Sequence, residues 1–154
     1  GWYVSFGDVA LIILDVVILT MFGTALASVV NAFLTSNGQA SAVGTIVSAG
    51  YGFICGAYMP ISQFGGALGN VMMFLPGTYG TSLIRNHCLG GVYREMSSIG
   101  FPSGVVEGIK DSVDCNIYFF GSSVPIGAMY AVILGAVVAL VGAYVLINVL
   151  KKRA

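Results

Sequence analysis

The chain has 154 residues, of which 57% are hydrophobic and only 8% are charged. Because so few polar side chains cannot cover a soluble domain of this size, the composition predicts an integral membrane protein and excludes an ordinary water-soluble fold. The formal net charge is zero, and the lack of a basic stripe also excludes nucleic acid as an expected partner.

The first long apolar segment covers residues 9–34. As a helix it would be about 39 Å long, which is enough to cross a bilayer with some tilt. Asp15 lies within it, and Asp8 precedes Asp15 by one heptad on the same helix face. A carboxylate in a membrane helix should face other helices and can mark a proton or cation path. No basic partner is evident, so we favour a structural carboxylate held at the interface or hydrogen-bonded to a neighbouring helix.

A short uncharged turn at 35–41 leads to the second predicted span, residues 42–59. With about 18 residues, this span is near the lower limit for crossing a bilayer. Pro60 is expected to end it, because proline lacks the amide donor and clashes with the preceding helical turn. Gly52 and Gly56 form a GxxxG pair, for which packing within the chain is favoured over dimerisation.

The apolar segment after Pro60 is interrupted at Gly65-Gly66 and at Pro76-Gly77. Each uninterrupted piece is too short to span a membrane, since a spanning helix needs about 20 residues. Broken backbone at membrane depth is stable only where protein or a water-filled cavity shields its polar groups. Residues 61–86 are therefore predicted to form a re-entrant pair of short helices. The alternative is an apolar loop packed on the outer surface.

Residues 87–123 are more polar and predict an outer loop. Within this loop, residues 103–114 predict a short amphipathic surface helix capped by Ser103. Its predicted apolar face comprises Val105, Val106, Ile109 and Val113.

His87 is the only histidine, and it lies close in sequence to Arg85, Cys88 and Glu95. A metal site usually needs three or four ligands at a recognisable spacing, and no such pattern surrounds His87. We therefore expect neither a metal nor a cofactor, and a membrane enzyme is the least favoured functional class. Cys88 and Cys115 both lie in the predicted outer loop, where thiols can oxidise. A disulfide between them requires Cα atoms within about 7 Å.

The last apolar segment, residues 124–150, predicts a third span of about 40 Å. It is followed directly by a basic end, Lys151, Lys152 and Arg153. The positive-inside rule places this end in the cytoplasm, which puts residues 60–123 outside and the 35–41 turn inside. The predicted fold is therefore an all-α integral membrane protein with three transmembrane helices, a broken re-entrant helical pair and a short outer amphipathic helix.

Two motifs in the middle of the chain resemble a known family. Residues 52–64 read GFICGAYMPISQF, and residues 74–85 read FLPGTYGTSLIR. This pattern is similar to the signature region of permeases in the type-2 exporter family of ATP-binding-cassette (ABC) transporters. The resemblance implies six spans per subunit, cytoplasmic termini, and re-entrant helices on the outer side after span five. This chain is similar to spans four to six, so the N-terminal half of the permease is expected elsewhere.

The same resemblance implies a permease component of an ATP-driven exporter in the plasma membrane of a bacterium. Such a component would move a drug-like, lipid-like or polymeric substrate out of the cell, with two permease copies enclosing the path. The chain contains no GxxxxGK[ST] phosphate loop, so ATP hydrolysis is expected on a separate ATPase subunit and not on this chain. A passive channel or a structural membrane scaffold is the alternative.

Membrane lipid is an expected partner, and aromatic and apolar side chains suit a lipid-like or amphipathic substrate. The candidates for the substrate path or its gate are Tyr51, Phe53, Tyr58, Met72, Phe74 and Tyr79. The candidates for the re-entrant motif are Gly56, Pro60, Pro76, Gly77 and Arg85.

Overall fold

A computed structural model describes residues 3–64 and 66–153, and helices dominate it. This agrees with the predicted all-α class. The helices are α1 (Phe6–Asn31), α2 (Asn37–Ile54), α3 (Gly66–Met72), α4 (Pro76–Ser98), α5 (Ser103–Ser112) and α6 (Ile126–Arg153). A 3₁₀ helix, Ile61–Gln63, precedes α3, and a two-stranded hairpin of β1 (Tyr118–Phe119) and β2 (Ser122–Ser123) precedes α6.

Within the described ranges, α1 and α6 are the two helices that are long and apolar enough to cross a membrane. The structure starts α1 three residues before the predicted boundary because Ser5 and Asp8 form a capping box. The Ser5 side chain accepts the Asp8 amide at 3.2 Å, and the Asp8 carboxylate accepts the Ser5 amide at 2.8 Å. Two orphan donors at the helix start are thereby satisfied.

The predicted bounds of the second span are wrong by five residues, because α2 covers Asn37–Ile54 instead of 42–59. The Ser36 side chain caps its start by accepting the Gln39 amide at 3.2 Å. Its end is set by Gly56, whose φ of +79° is a conformation that glycine adopts without strain. Pro60 therefore comes too late to end the helix. The ring of Tyr58 covers Gly52, so the GxxxG pair serves this turn within the chain.

The core of the fold is a layer formed by α1, α4 and α6. Helix α4 runs antiparallel to α1, because Asp8 faces Arg94 and Asp15 faces His87. Helix α6 runs in the same direction as α1 and packs on it through a cluster of Ile18, Phe22, Ile133 and Val137. Gly80 of α4 lies close against both α1 and α6. A Cβ atom at this position would lie 2.4 Å from Leu19 and 2.9 Å from Ile133, so glycine permits the close approach.

The broken segment differs from the predicted pair of short helices over 61–86. Its first part is short, consisting of the 3₁₀ helix and α3, but α4 has 23 residues and continues to Ser98. The predicted outer loop, 87–123, therefore begins 12 residues too early, since residues 87–98 belong to α4. The segment packs through a second buried cluster, Ile61, Met72, Met73, Tyr79, Leu83, Ile117 and Met129.

The start of α4 lies level with the middle of α1. Gly80 contacts Leu19, which is about 20 Å along the helix from Phe6, and α1 is about 39 Å long in total. Gly77 lies one turn deeper and contacts Tyr51, whose ring is 6.0 Å from that of Phe22. Helix α4 therefore extends from the middle of the bundle to the end where α1 begins.

The short surface helix is confirmed as α5, but its cap and its buried face were predicted wrongly. Pro102 occupies the cap position without a side-chain hydrogen bond, so Ser103 is already inside the helix. Val106 is buried against Tyr93 and Cys115, whereas Val105 and Ile109 are exposed. The buried face of α5 differs from the predicted one, because α5 packs on α4 through Val106 and not through Ile109.

Candidate functional site

An apolar groove of about 460 Å³ lies between α1 and α2. Its walls are rich in small and aliphatic residues: Gly23, Leu26, Ala27 and Val30 from α1, and Ala40, Gly44, Val47 and Ser48 from α2. A Cβ atom at Gly23 or Gly44 would contact no other atom, so the two helices do not pack closely there. No residue of α2 is buried, and the groove is accessible along its length.

The first turn of α4 closes one end of this groove. The Gly77 amide donates to the Tyr51 hydroxyl at 3.1 Å, and the Thr81 hydroxyl donates to the Cys55 carbonyl at 2.9 Å. A side chain at Gly77 would overlap the Tyr51 ring, since its Cβ would lie 2.5 Å from a ring carbon. Glycine at this position therefore permits the close approach between α2 and α4.

The six residues proposed for the path or gate lie in three different environments. Tyr51 lines the closed end of the groove. Phe53 and Tyr58 are exposed and stack edge to face at 5.0 Å between ring centres. Met72 and Tyr79 are buried in the broken segment, where the Tyr79 hydroxyl donates to the Met73 carbonyl at 2.7 Å. Phe74 is exposed and packs edge to face on Phe119 at 5.4 Å.

Arg85 and Asp114 fix the turn that follows α2. Arg85 Nη1 is 3.1 Å from Asp114 Oδ2, and its Nη2 donates to the Gly56 carbonyl. The Asp114 carboxylate also accepts the Ile61 amide and, at 3.0 Å, the Ser62 amide. One ion pair thus satisfies backbone groups on both sides of Pro60, which caps the 3₁₀ helix.

The proposed re-entrant motif is partly brought together by this arrangement. Arg85 reaches Gly56 directly, and Pro76 occupies the first turn of α4, where its missing amide leaves no hydrogen bond unmade. Gly77 lies apart from them at the groove. The sequence did not reveal the contact between Asp114 and Arg85. The two residues are 29 positions apart, and Asp114 was expected on the solvent-facing side of a surface helix.

A buried polar cluster joins the three helices of the core layer. Asp15 comes from α1, His87 from α4 and Tyr130 from α6. Nδ1 of His87 is 2.5 Å from Asp15 Oδ2, and the Tyr130 hydroxyl donates to Asp15 Oδ1 at 2.5 Å. The Asp15 side chain has no exposed surface. This geometry agrees with the prediction favoured from the sequence, that Asp15 is a structural carboxylate hydrogen-bonded to neighbouring helices.

The basic partners of Asp8 and Asp15 were missed, although the sequence contained a signal for them. Asp8 pairs with Arg94 and Asp15 pairs with His87, and in both helices the two charged residues are seven positions apart. Side chains seven apart lie on nearly the same helix face. Two acidic residues and two basic residues at matching heptad spacing therefore fit one antiparallel helix pair.

The disulfide considered between Cys88 and Cys115 is not formed, since all three cysteines are free. Cys88 is exposed on α4, whereas Cys115 is buried with its sulfur 3.4 Å from the Tyr93 hydroxyl. Burial raises the pKa of the Cys115 thiol. The two residues do not meet because Cys115 packs on the face of α4 that carries Tyr93, away from Cys88.

The residues considered for a membrane enzyme do not converge. Arg85 contacts Asp114, His87 contacts Asp15, and Glu95 is exposed. In residues 3–64 and 66–153 there is also no group of three or more His, Cys, Asp or Glu side chains placed to hold a metal ion.

Comparison of the chain with protein-family models, with curated proteins and with solved structures gives no match. A functional assignment therefore depends on the groove, on the broken segment that closes it, and on the motif resemblance of residues 52–64 and 74–85.

Proposed function

We propose that this chain is the permease component of an ATP-driven ABC exporter, corresponding to its spans four to six. It exports a drug-like or lipid-like amphipathic substrate across the plasma membrane of a bacterium. The observation that carries the proposal is the apolar groove between α1 and α2, closed at one end by the first turn of a broken segment.

The surfaces of α1 and α6 support placement in a bilayer. Large apolar side chains point outward along both helices, with Ile13 59%, Val138 72% and Leu146 59% exposed. A soluble protein rarely exposes contiguous apolar surface of this extent. Lipid covers these faces. The third span of this proposal is α2, which is about 27 Å long as a helix of 18 residues, although it is less apolar than α1 and α6, the two helices of the described residues that are long and apolar enough to cross a membrane.

The depth of α4 supports a re-entrant segment. With α1 across the bilayer, the first turn of α4 lies within the hydrocarbon region, because it is level with Leu19 and Phe22. Its exposed amides need partners there. The Tyr51 hydroxyl supplies one for Gly77, and the Leu75 carbonyl supplies one for Thr78 at 3.0 Å.

The lining of the groove indicates the class of substrate. Aliphatic walls with a few polar groups, such as Ser48 and the Tyr51 hydroxyl, are typical of sites for amphipathic molecules. A groove of about 460 Å³ holds one such molecule. A polymeric substrate requires a wider path between two copies of the permease.

The energy source lies on another polypeptide. The chain has no nucleotide phosphate loop, and the turn between α1 and α2 covers only residues 32–36. An ATPase subunit therefore docks mainly on the N-terminal half of the permease, as the family resemblance implies, and a second permease copy completes the path.

Filling the groove should block export. We expect Ala27→Trp, in the complete permease with its ATPase in liposomes, to lower ATP-dependent export of a fluorescent amphipathic dye about tenfold, equivalent to about 1.4 kcal/mol. Ala27 lines the groove, so an indole ring there occupies the space of the substrate. The measurement is the initial rate of dye movement with and without ATP.

Val138→Trp is the matched control, because Val138 is exposed on α6 and lies outside the groove. It should retain the wild-type rate. Equal rates for the two variants would contradict the groove as the substrate path, and dye flux that is independent of ATP would favour a channel.

A further inference from the structure

The cluster of Asp15, His87 and Tyr130 has no role in the groove or in the turn after α2. We propose that these three side chains form a proton-binding site whose occupied state holds α4 against α1 and α6. The inference does not depend on the exporter assignment, because it concerns only the contact among three helices of this chain.

The geometry gives each oxygen of Asp15 one partner from a different helix. His87 of α4 meets Oδ2 and Tyr130 of α6 meets Oδ1, both at 2.5 Å. The rings of His87 and Tyr130 are stacked, with an angle of 25° between their planes and 6.4 Å between their centres. The cluster therefore connects all three helices of the core layer at a single carboxylate.

The charge of the cluster depends on one proton. With a protonated imidazole and an ionised carboxylate, the pair of His87 and Asp15 is neutral overall. When the imidazolium gives up its Nε2 proton to water, the pair keeps its Nδ1–H hydrogen bond but carries a net negative charge. Since the Asp15 side chain is fully buried, this uncompensated charge is costly. Proton loss therefore weakens the contact between α4 and the other two helices.

The His87 side chain is not fully enclosed by the cluster. Nε2 of His87 has no hydrogen-bond partner among the described residues, and these residues include no fully buried side-chain nitrogen or oxygen atom without a partner. The His87 side chain is 11% exposed, so the imidazole ring reaches the molecular surface. The neighbouring residue Cys88 is exposed on the same helix.

The other charged groups near the cluster are already neutralised. On the same faces of α1 and α4, Asp8 and Arg94 form an ion pair one heptad away. Arg85 of α4 is paired with Asp114. Tyr130 is the titratable group that α6 presents, and it acts as a donor to Asp15. Histidine is the side chain type whose charge ordinarily changes near neutral pH, and His87 is the histidine of this contact.

A double-mutant cycle at two pH values tests the proposal. The variants are Asp15→Asn, His87→Gln and the double variant in the complete chain in lipid nanodiscs, with unfolding as the readout. We expect a coupling of about tenfold or more in the unfolding equilibrium constant near pH 6, which falls markedly near pH 9. Cys88→Ser is the control and should show the same small effect at both values. A coupling that does not change with pH would overturn the proposal, because a purely structural contact has no reason to change.

A second measurement needs no substitution. His87 is the only histidine of the chain, so protein labelled with ¹⁵N-histidine and carrying no histidine tag reports this site alone. The spectra are recorded from about pH 5 to about pH 9, and the proposal requires the ring nitrogens to change between the protonated and neutral patterns, with Nδ1 hydrogen-bonded in both. Signals that stay constant over this range, or an Nδ1 without a hydrogen bond, would contradict a proton site at Asp15.

Discussion

Replacing Arg85 with methionine should lower the free energy of unfolding by about 3 to 5 kcal/mol, because it leaves a buried carboxylate without its counter-charge. The Asp114 side chain is 7% exposed, and its other partners among the described residues are the Ile61 and Ser62 amides. The same substitution removes the donor to the Gly56 carbonyl. Reversible unfolding in mixed micelles would measure the loss.

Lys110→Met is the matched control for this effect. Lys110 also forms an ion pair, with Glu107 at 2.7 Å, but the Glu107 side chain is 55% exposed. Exposed pairs contribute about 1 kcal/mol or less. Similar losses in the two variants would mean that the pair of Arg85 and Asp114 does not hold the turn after α2.

Replacing His87 with leucine should have an effect of the same size, about 3 to 5 kcal/mol, because the Tyr130 hydroxyl is then the one partner that Asp15 keeps among the described residues. The double variant Asp15→Leu with His87→Leu should recover most of this loss. Removing both partners of a buried polar contact leaves no unpaired charge, and an apolar pair at this position can pack between α1 and α4. The measurement is the free energy of unfolding of the single and double variants.

An exposed neighbour supplies the control, since Cys88→Leu should change the stability little. A double variant less stable than His87→Leu alone would show that the cost arises from lost volume or shape and not from the stranded carboxylate of Asp15.

Local signals in the sequence predicted the elements whose positions depend on local properties. The apolar runs of α1 and α6 define those helices to within about three residues, because hydropathy and length alone select them. Pro76 was correctly identified as a break, since it begins α4. The predicted end of α2 was wrong because the helix stops before Gly56, whose φ is positive and whose carbonyl accepts a hydrogen bond from Arg85 of a distant helix.

The polar half of α4 shows why other features were missed. The segment around His87 and Arg94 reads as an outer loop when it is considered alone, because its charges have no local partners. In the structure these charges pair with Asp15 and Asp8 about 80 residues away in sequence, and the pairs keep the helix continuous to Ser98. Only the matching heptad spacing of the four residues carried this information.

In the proposed topology, the chain between α2 and α6 enters the membrane from one side and returns to the same side. Substituted-cysteine labelling with a membrane-impermeant maleimide in intact cells tests it most directly. The native cysteines are first replaced with alanine, and single cysteines are then placed at Ser62, Glu107 and Gly38. All three positions are exposed on the surface of the chain.

We predict that cysteines at Ser62 and Glu107 react from outside the cell, and that a cysteine at Gly38 reacts only after the membrane is opened. Ser62 lies at the start of the broken segment and Glu107 lies after it, while Gly38 lies in the first turn of α2 at the opposite end of the bundle. Labelling of Ser62 and Glu107 from opposite sides of the membrane would show that the segment crosses the bilayer, and would contradict the re-entrant account.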